Sequence, residues 1–68
     1  MTTQTVTVTG MTCGHCVSSV REEVGGIPGV RTVDVDLATG QVTIGSDSQL
    51  DPSVVSDAVA EAGYAVVG

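Results

Sequence analysis

Polar and apolar residues alternate strictly from Gln4 to Thr9. Val6 and Val8 share one side and Thr5, Thr7 and Thr9 the other, which predicts a half-buried strand. Val17, Val20 and Val24 then recur at helical spacing, with Ser18, Ser19, Arg21, Glu22 and Glu23 between them. That is one apolar stripe on a helix, ended by Gly25-Gly26. Ile27-Pro28-Gly29 predicts a turn. Val33, Val35 and Leu37 alternate with Thr32, Asp34 and Asp36 in a second strand. Ala38-Thr39-Gly40 predicts a short turn into a third strand carrying Val42 and Ile44, so these two strands form a hairpin. Asp51 is suited as N-cap and Pro52 as first residue of a second helix. The stripe of that helix is Val55, Ala58, Val59 and Ala62, and Gly63 is its stop. Tyr64-Ala65-Val66-Val67 predicts a short last strand.

The order β-α-β-β-α-β is that of a ferredoxin-like α+β sandwich, a four-stranded antiparallel sheet with two helices on one face. Residues 1–68 read as a single domain, with no linker or repeat. A domain this small buries only about 60% of the surface of its unfolded chain. Its core must be built largely from valine, because Phe and Trp are absent and Tyr64 is the lone aromatic. Eight acidic residues face two basic ones, Arg21 and Arg31, for a net charge of −6. Nucleic-acid binders need a basic footprint, so DNA and RNA are not expected partners. No run is long and apolar enough to insert in a membrane, and the first ten residues lack the basic start of a secretory signal. A cytoplasmic location is therefore expected, where thiols stay reduced.

Both cysteines and the only histidine fall in Met11-Thr12-Cys13-Gly14-His15-Cys16, between the first strand and the first helix. Cys13 is expected in the loop, as the more exposed thiol. Cys16 is expected in the first helical turn, one turn before Val20 and more sheltered. Unpaired N–H groups and the dipole at a helix N-terminus favour thiolates, which are both metal ligands and nucleophiles. Haem attachment needs His directly after the second Cys, where Val17 stands. A closed zinc site needs four ligands, and two Cys with one His do not supply them; zinc shared across a dimer stays open. The letters Cys-Gly-His-Cys also occur in disulfide isomerases. Thioredoxin-like proteins, however, usually carry Trp ahead of the first Cys and a cis-Pro facing the dithiol, and they are longer. Soft-metal binding fits better: Cu(I) prefers thiolates and accepts two of them.

Gly10-Met11-Thr12-Cys13-Gly14-His15-Cys16 resembles the G-M-x-C-x-x-C signature of the heavy-metal-associated domain family. That family comprises small copper chaperones and the N-terminal metal-binding domains of copper-transporting ATPases. The likeness extends to the preceding strand, to the segment from Ile27 to Ile44, and to Ala62-Gly63-Tyr64. It implies a ferredoxin-like fold, with Cu(I) held by Cys13 and Cys16. It implies that Met11 turns inward to brace the loop and that Tyr64 lies near it. Tyr at that place resembles free-standing bacterial chaperones, where ATPase domains tend to carry Phe. The implied function is copper homeostasis by a cytoplasmic Cu(I) chaperone of the bacterial type, not an enzyme. It would pass metal by thiolate exchange to a copper-transporting P-type ATPase or another C-x-x-C domain. A metal-linked homodimer stays open. So do three other readings: an ATPase metal-binding domain, a redox dithiol protein, and a carrier of another soft ion. Zinc- and cadmium-handling relatives often place Asp beside the first Cys, and Thr12 there favours copper. His15 stands where the family varies; it is a bystander, a tuner of the thiols or a brake on an incoming thiolate through its nearby charge, or a ligand in a dimeric or multi-copper form. The second of these is the expectation. With no Lys-rich face, docking is expected to set Glu22, Glu23 or the Asp57/Glu61 face against a basic partner.

Overall fold

The computed structural model describes residues 1–12 and 14–67. Its elements are β1 (Thr2–Thr9), α1 (Gly14–Gly25), β2 (Val30–Asp36), β3 (Gln41–Ser46), α2 (Pro52–Glu61) and β4 (Ala65–Val66), in the expected order. The strands form one antiparallel sheet ordered β2-β3-β1-β4. Only β2 and β3 are joined by a hairpin turn. Each helix carries the chain between strands that are not neighbours, α1 from β1 to the β2 edge and α2 from β3 to the β4 edge.

Val8, Val42 and Ile44 of the sheet meet Val20 and Val24 of α1 and Val55 and Val59 of α2 in one buried core. Strand side chains alternate between faces, so these three sheet residues show which face the helices cover. Thr3, Thr5 and Thr9 are exposed on the other face. The core is almost wholly β-branched, which suits a pleated surface. Ile27, assigned by its sequence neighbours to a turn, also enters the core, at 9% exposure. Its N–H donates to the Val24 carbonyl at 3.1 Å, which folds the chain back beneath the end of α1. Gln4 pins the loop before α2: its Nε2 donates to the Leu50 carbonyl at 3.2 Å, and its Oε1 accepts from the Leu50 N–H at 2.7 Å.

Three expectations need correction. Leu37 does not continue β2 with its side chain inward; it is 40% exposed. Strand pairing stops at Asp36 because its side chain accepts from the Ala38 N–H at 3.0 Å and its carbonyl from the Gly40 N–H at 2.8 Å. A local turn thereby captures groups that a strand would present to a ladder. The connection accordingly runs from Leu37 to Gly40 rather than from Ala38. The last strand pairs only through Ala65 and Val66, because Tyr64 is held by the end of α2 and exposed Val67 adds only its N–H bond to the Thr7 carbonyl.

The start of α2 follows its sequence signals. Asp51 is extended at φ −66°, ψ 132°, and its Oδ1 accepts from the Ser53 N–H at 2.9 Å and the Ser53 hydroxyl at 2.8 Å. These two bonds, the backbone one first, hold the Asp51 carboxyl below its ordinary value of 3.8. A lowered folded-state value means stabilisation that is present above 3.8 and fades as pH falls through the folded value. Asp51→Ala is expected to melt below the native chain at pH 7, with the gap closing as the pH is taken below 3.8. Thermal unfolding followed by circular dichroism across pH 2–7 checks this. A gap independent of pH would show that the cap works without its charge.

Candidate metal centre

The turn joining β2 to β3, the end of β1 and the start of β4 lie at one end of the sheet. The register sets this: Thr7 pairs with Gln41, Asp36 with Gln41, and Thr9 with Ala65. The Val8 N–H also donates to the Gly40 carbonyl at 2.8 Å, which fastens the hairpin turn to β1. The chain leaves β1 at this end and begins α1 at Gly14.

Gly10 follows β1 directly at φ +93°, a left-handed conformation that a side chain strains against. Met11 is half-buried and packs against the core. Its side chain is thus occupied inside the fold. Thr12, Gly14 and His15 are exposed. Cys16 lies in the first turn of α1 and is half-buried, one turn ahead of fully buried Val20 on the same stripe. Its Sγ is 3.9 Å from the Thr12 hydroxyl oxygen, with either atom placed to donate. Thr12, chosen in the sequence only for not being Asp, is therefore a neighbour of the thiol. No acidic residue occupies the first turn of α1. The positive end of the helix dipole is left to act on whatever anion sits there.

His15 is exposed, and its carbonyl accepts from the Ser19 hydroxyl at 3.1 Å. The expectations about Cys13, its loop placement and greater exposure, lie outside the described residues. Tyr64 is half-buried against the core and lies beside Gly10: a methyl group added at Gly10 would come within 3.1 Å of Tyr64 Cδ1 and 3.7 Å of Cε1. The structure thus gathers Met11, His15, Cys16 and Tyr64 at one end of the molecule. Nothing in the local pattern signals the contact between Tyr64 and Gly10, because it is made across the sheet.

The acidic surface is mostly elsewhere. Glu22 and Glu23 are in the third turn of α1, Asp34 is inside β2, Asp47 follows β3, Asp51 caps α2 and Asp57 lies just past its midpoint. Asp36 and Glu61 are the acids nearest the sheet end that carries the cysteine segment, by their places in the elements. Arg31 is engaged by Asp47, with Nε to Oδ1 at 2.6 Å, on an exposed surface where such a pair adds little stability.

The family model of the heavy-metal-associated domain matches residues 4–65. The chain belongs to the heavy-metal-associated domain family. The copper chaperone CopZ of Staphylococcus aureus is 41% identical over 68 residues, which cover 98% of this chain and all of that one. Among solved structures, a CopZ metallochaperone superposes with a TM-score of 0.90 at 40% identity, covering 97% of this chain and 100% of the other. A copper-binding domain from HMA7, a P-type ATPase, superposes at 0.88 with 25% identity, covering 100% of this chain and 96% of that one. These heavy-metal-associated domains share the β-α-β-β-α-β sandwich, as the order of elements predicts.

Proposed function

We propose that this heavy-metal-associated domain is a cytoplasmic copper chaperone. It holds Cu(I) between the thiolates of Cys13 and Cys16 and delivers it to the C-x-x-C domain of a copper-transporting ATPase. The observation that carries the reading is the place of Cys16. It sits half-buried at a helix N-terminus free of acids, beside exposed Gly14 and His15 and within reach of the Thr12 hydroxyl, and Met11 ahead of it packs against the core. The likeness to a copper chaperone and to an ATPase copper-binding domain supports copper as cargo and a domain of the same kind as receiver.

The chemistry is ligand exchange without change of oxidation state. An incoming thiol gives up its proton as its sulfur bonds to Cu(I); a Cu–S bond to the chaperone then breaks, and that thiolate takes up a proton. Two thiolates satisfy Cu(I), so a third can join before one leaves. Met11 acts as a brace for the segment and Tyr64 as its neighbour. His15, exposed beside Cys16, modulates access of the incoming thiol. No covalent catalysis is involved. Among the described residues no helix is long and apolar enough to cross a membrane.

Titrating the reduced chain with Cu(I) against a coloured copper(I) chelator, with Zn(II) titrated in parallel, tests this. One Cu(I) per chain, withheld from the chelator and not displaced by Zn(II), is expected. A chelator that strips all the copper at equimolar concentration would overturn the reading.

A further inference from the structure

We infer that Gly40 is a positioning residue for the metal-binding segment: it seats the β2–β3 turn on Val8, the last buried residue of β1, just ahead of the point where that segment leaves the sheet. The inference deepens the copper reading above and rests on it for its affinity readout.

The seat is built from the turn. The Asp36 carboxylate accepts from the Ala38 N–H at 3.0 Å, and the Asp36 carbonyl accepts from the Gly40 N–H at 2.8 Å. The Thr39 hydroxyl oxygen accepts from the Gln41 N–H at 3.3 Å. These local bonds fix the shape of the turn within itself, and Gly40 stands in it at φ +75°. β3 begins at Gln41, opposite Thr7, so the strand does not reach Val8. The turn does: the Gly40 carbonyl accepts from the Val8 N–H at 2.8 Å. On its other side Val8 pairs with Val66 of β4, a strand of 2 residues. The end of β1 is thus held between a very short strand and a turn.

This contact requires a residue without a side chain. A methyl group at Gly40 would stand 2.6 Å from the Val8 carbonyl oxygen, closer than real side chains approach, and the obstacle is backbone of a paired strand. The φ of +75° disfavours a side chain as well. Two separate demands therefore fall on one residue far along the chain from the cysteines. Both serve the strand end from which Gly10 and Met11 depart. A ligand-binding segment whose root is fixed spends more time in its competent shape, and affinity scales with the fraction of molecules already in that shape.

The test compares Gly40→Ala, Gly40→Asn and Gly29→Ala on the full chain. Asn tolerates a left-handed backbone better than Ala but brings the same Cβ, so it keeps the test open if Gly40→Ala fails to fold. Gly29 has φ +91° and open space where a side chain would begin. It precedes β2 at the opposite end of the sheet, where Thr2 and Val30 both pair with Ser46. Gly29→Ala therefore carries the backbone strain without the collision. Cu(I) affinity is read by chelator competition. On the metal-free protein, exchange of the Val8 amide is read relative to that of Ile44, and order parameters are read for the Gly10, Met11 and Thr12 amides. Both Gly40 variants are expected to weaken Cu(I) binding about tenfold, the effect of a competent fraction cut to a tenth. Both should speed Val8 exchange relative to Ile44 and lower the order parameters from about 0.85 toward about 0.6. Gly29→Ala should lower the melting temperature and leave these readouts native. An equal affinity loss in Gly29→Ala would trace the effect to general stability and overturn the inference. Native affinity and order parameters in Gly40→Ala, or their recovery in Gly40→Asn, would overturn it too. If the native chain fails to hold copper, the copper reading falls, and exchange and order parameters alone still decide whether the seat orders the segment.

Discussion

A Cys16→Ser chain is expected to keep its fold and to lose copper(I). Cys16 is half-buried at the first turn of α1 and is not among the fully buried side chains of the core. Exchanging sulfur for oxygen there changes stability by less than about 1 kcal/mol. The effect on the cargo is far larger, because Cu(I) favours thiolate strongly over a hydroxyl oxygen, and a site of two thiolates has no spare ligand. A loss of at least about a thousandfold, or about 4 kcal/mol, is expected in chelator competition. Cys13→Ser should behave alike. A ligand that binds only the folded chain raises its melting temperature by mass action. The copper-induced rise expected for the native chain should therefore vanish in both variants, while their metal-free melting temperatures stay near native. Retention of copper by Cys16→Ser within tenfold of native would remove this thiol from the site.

Ile44→Ala is expected to produce the largest loss of stability. Ile44 is the largest of the fully buried side chains, at 0% exposure. It stands on β3 between Gln4 of β1 and Val33 of β2, in the sheet face covered by both helices. Truncating a buried Ile to Ala loses about 2–5 kcal/mol from transfer and cavity terms together. A chain of this length has a total stability of roughly 3–10 kcal/mol, so the loss is a large share of the whole. The melting temperature should fall by at least about 10 °C, given roughly 4–8 °C per kcal/mol in domains of this size. Val67→Ala, at a 60% exposed position, should shift it by only a degree or two. A fall of less than a few degrees in Ile44→Ala would show that the core collapses around the gap. The core contains no aromatic ring to help it do so.

The six elements could be read from the chain because each carries its own local signal. The alternation of Val6 and Val8 with threonines needs no partner to be recognised. Asp51-Pro52 marks the start of α2 by chemistry confined to one turn, and the structure shows the Asp51 cap in place. The apolar stripes of both helices reach the core where spacing puts them, with Val20 and Val24 on one and Val55 and Val59 on the other. The cysteine motif is contiguous, so its position between β1 and α1 could also be read along the chain.

What local pattern could not supply is what lies across the sheet. Leu37 keeps the parity of Val33 and Val35, yet Asp36 closes a turn and turns Leu37 out to solvent. Ile27 follows a helix-breaking glycine pair, yet it is drawn into the core beneath α1. The meeting of Tyr64 with Gly10 depends on the register of β4 against β1 and on the Schellman ending of α2. The sequence by itself determined the elements, their inward faces and the place of the cysteine motif between β1 and α1, since periodicity and capping act within a turn or two. Only the tertiary structure decided which of those residues stand together at one end and which ring rests on the glycine before the cysteines. Periodicity states which side of its own element a residue faces; the neighbour on that side is set by strand order and register.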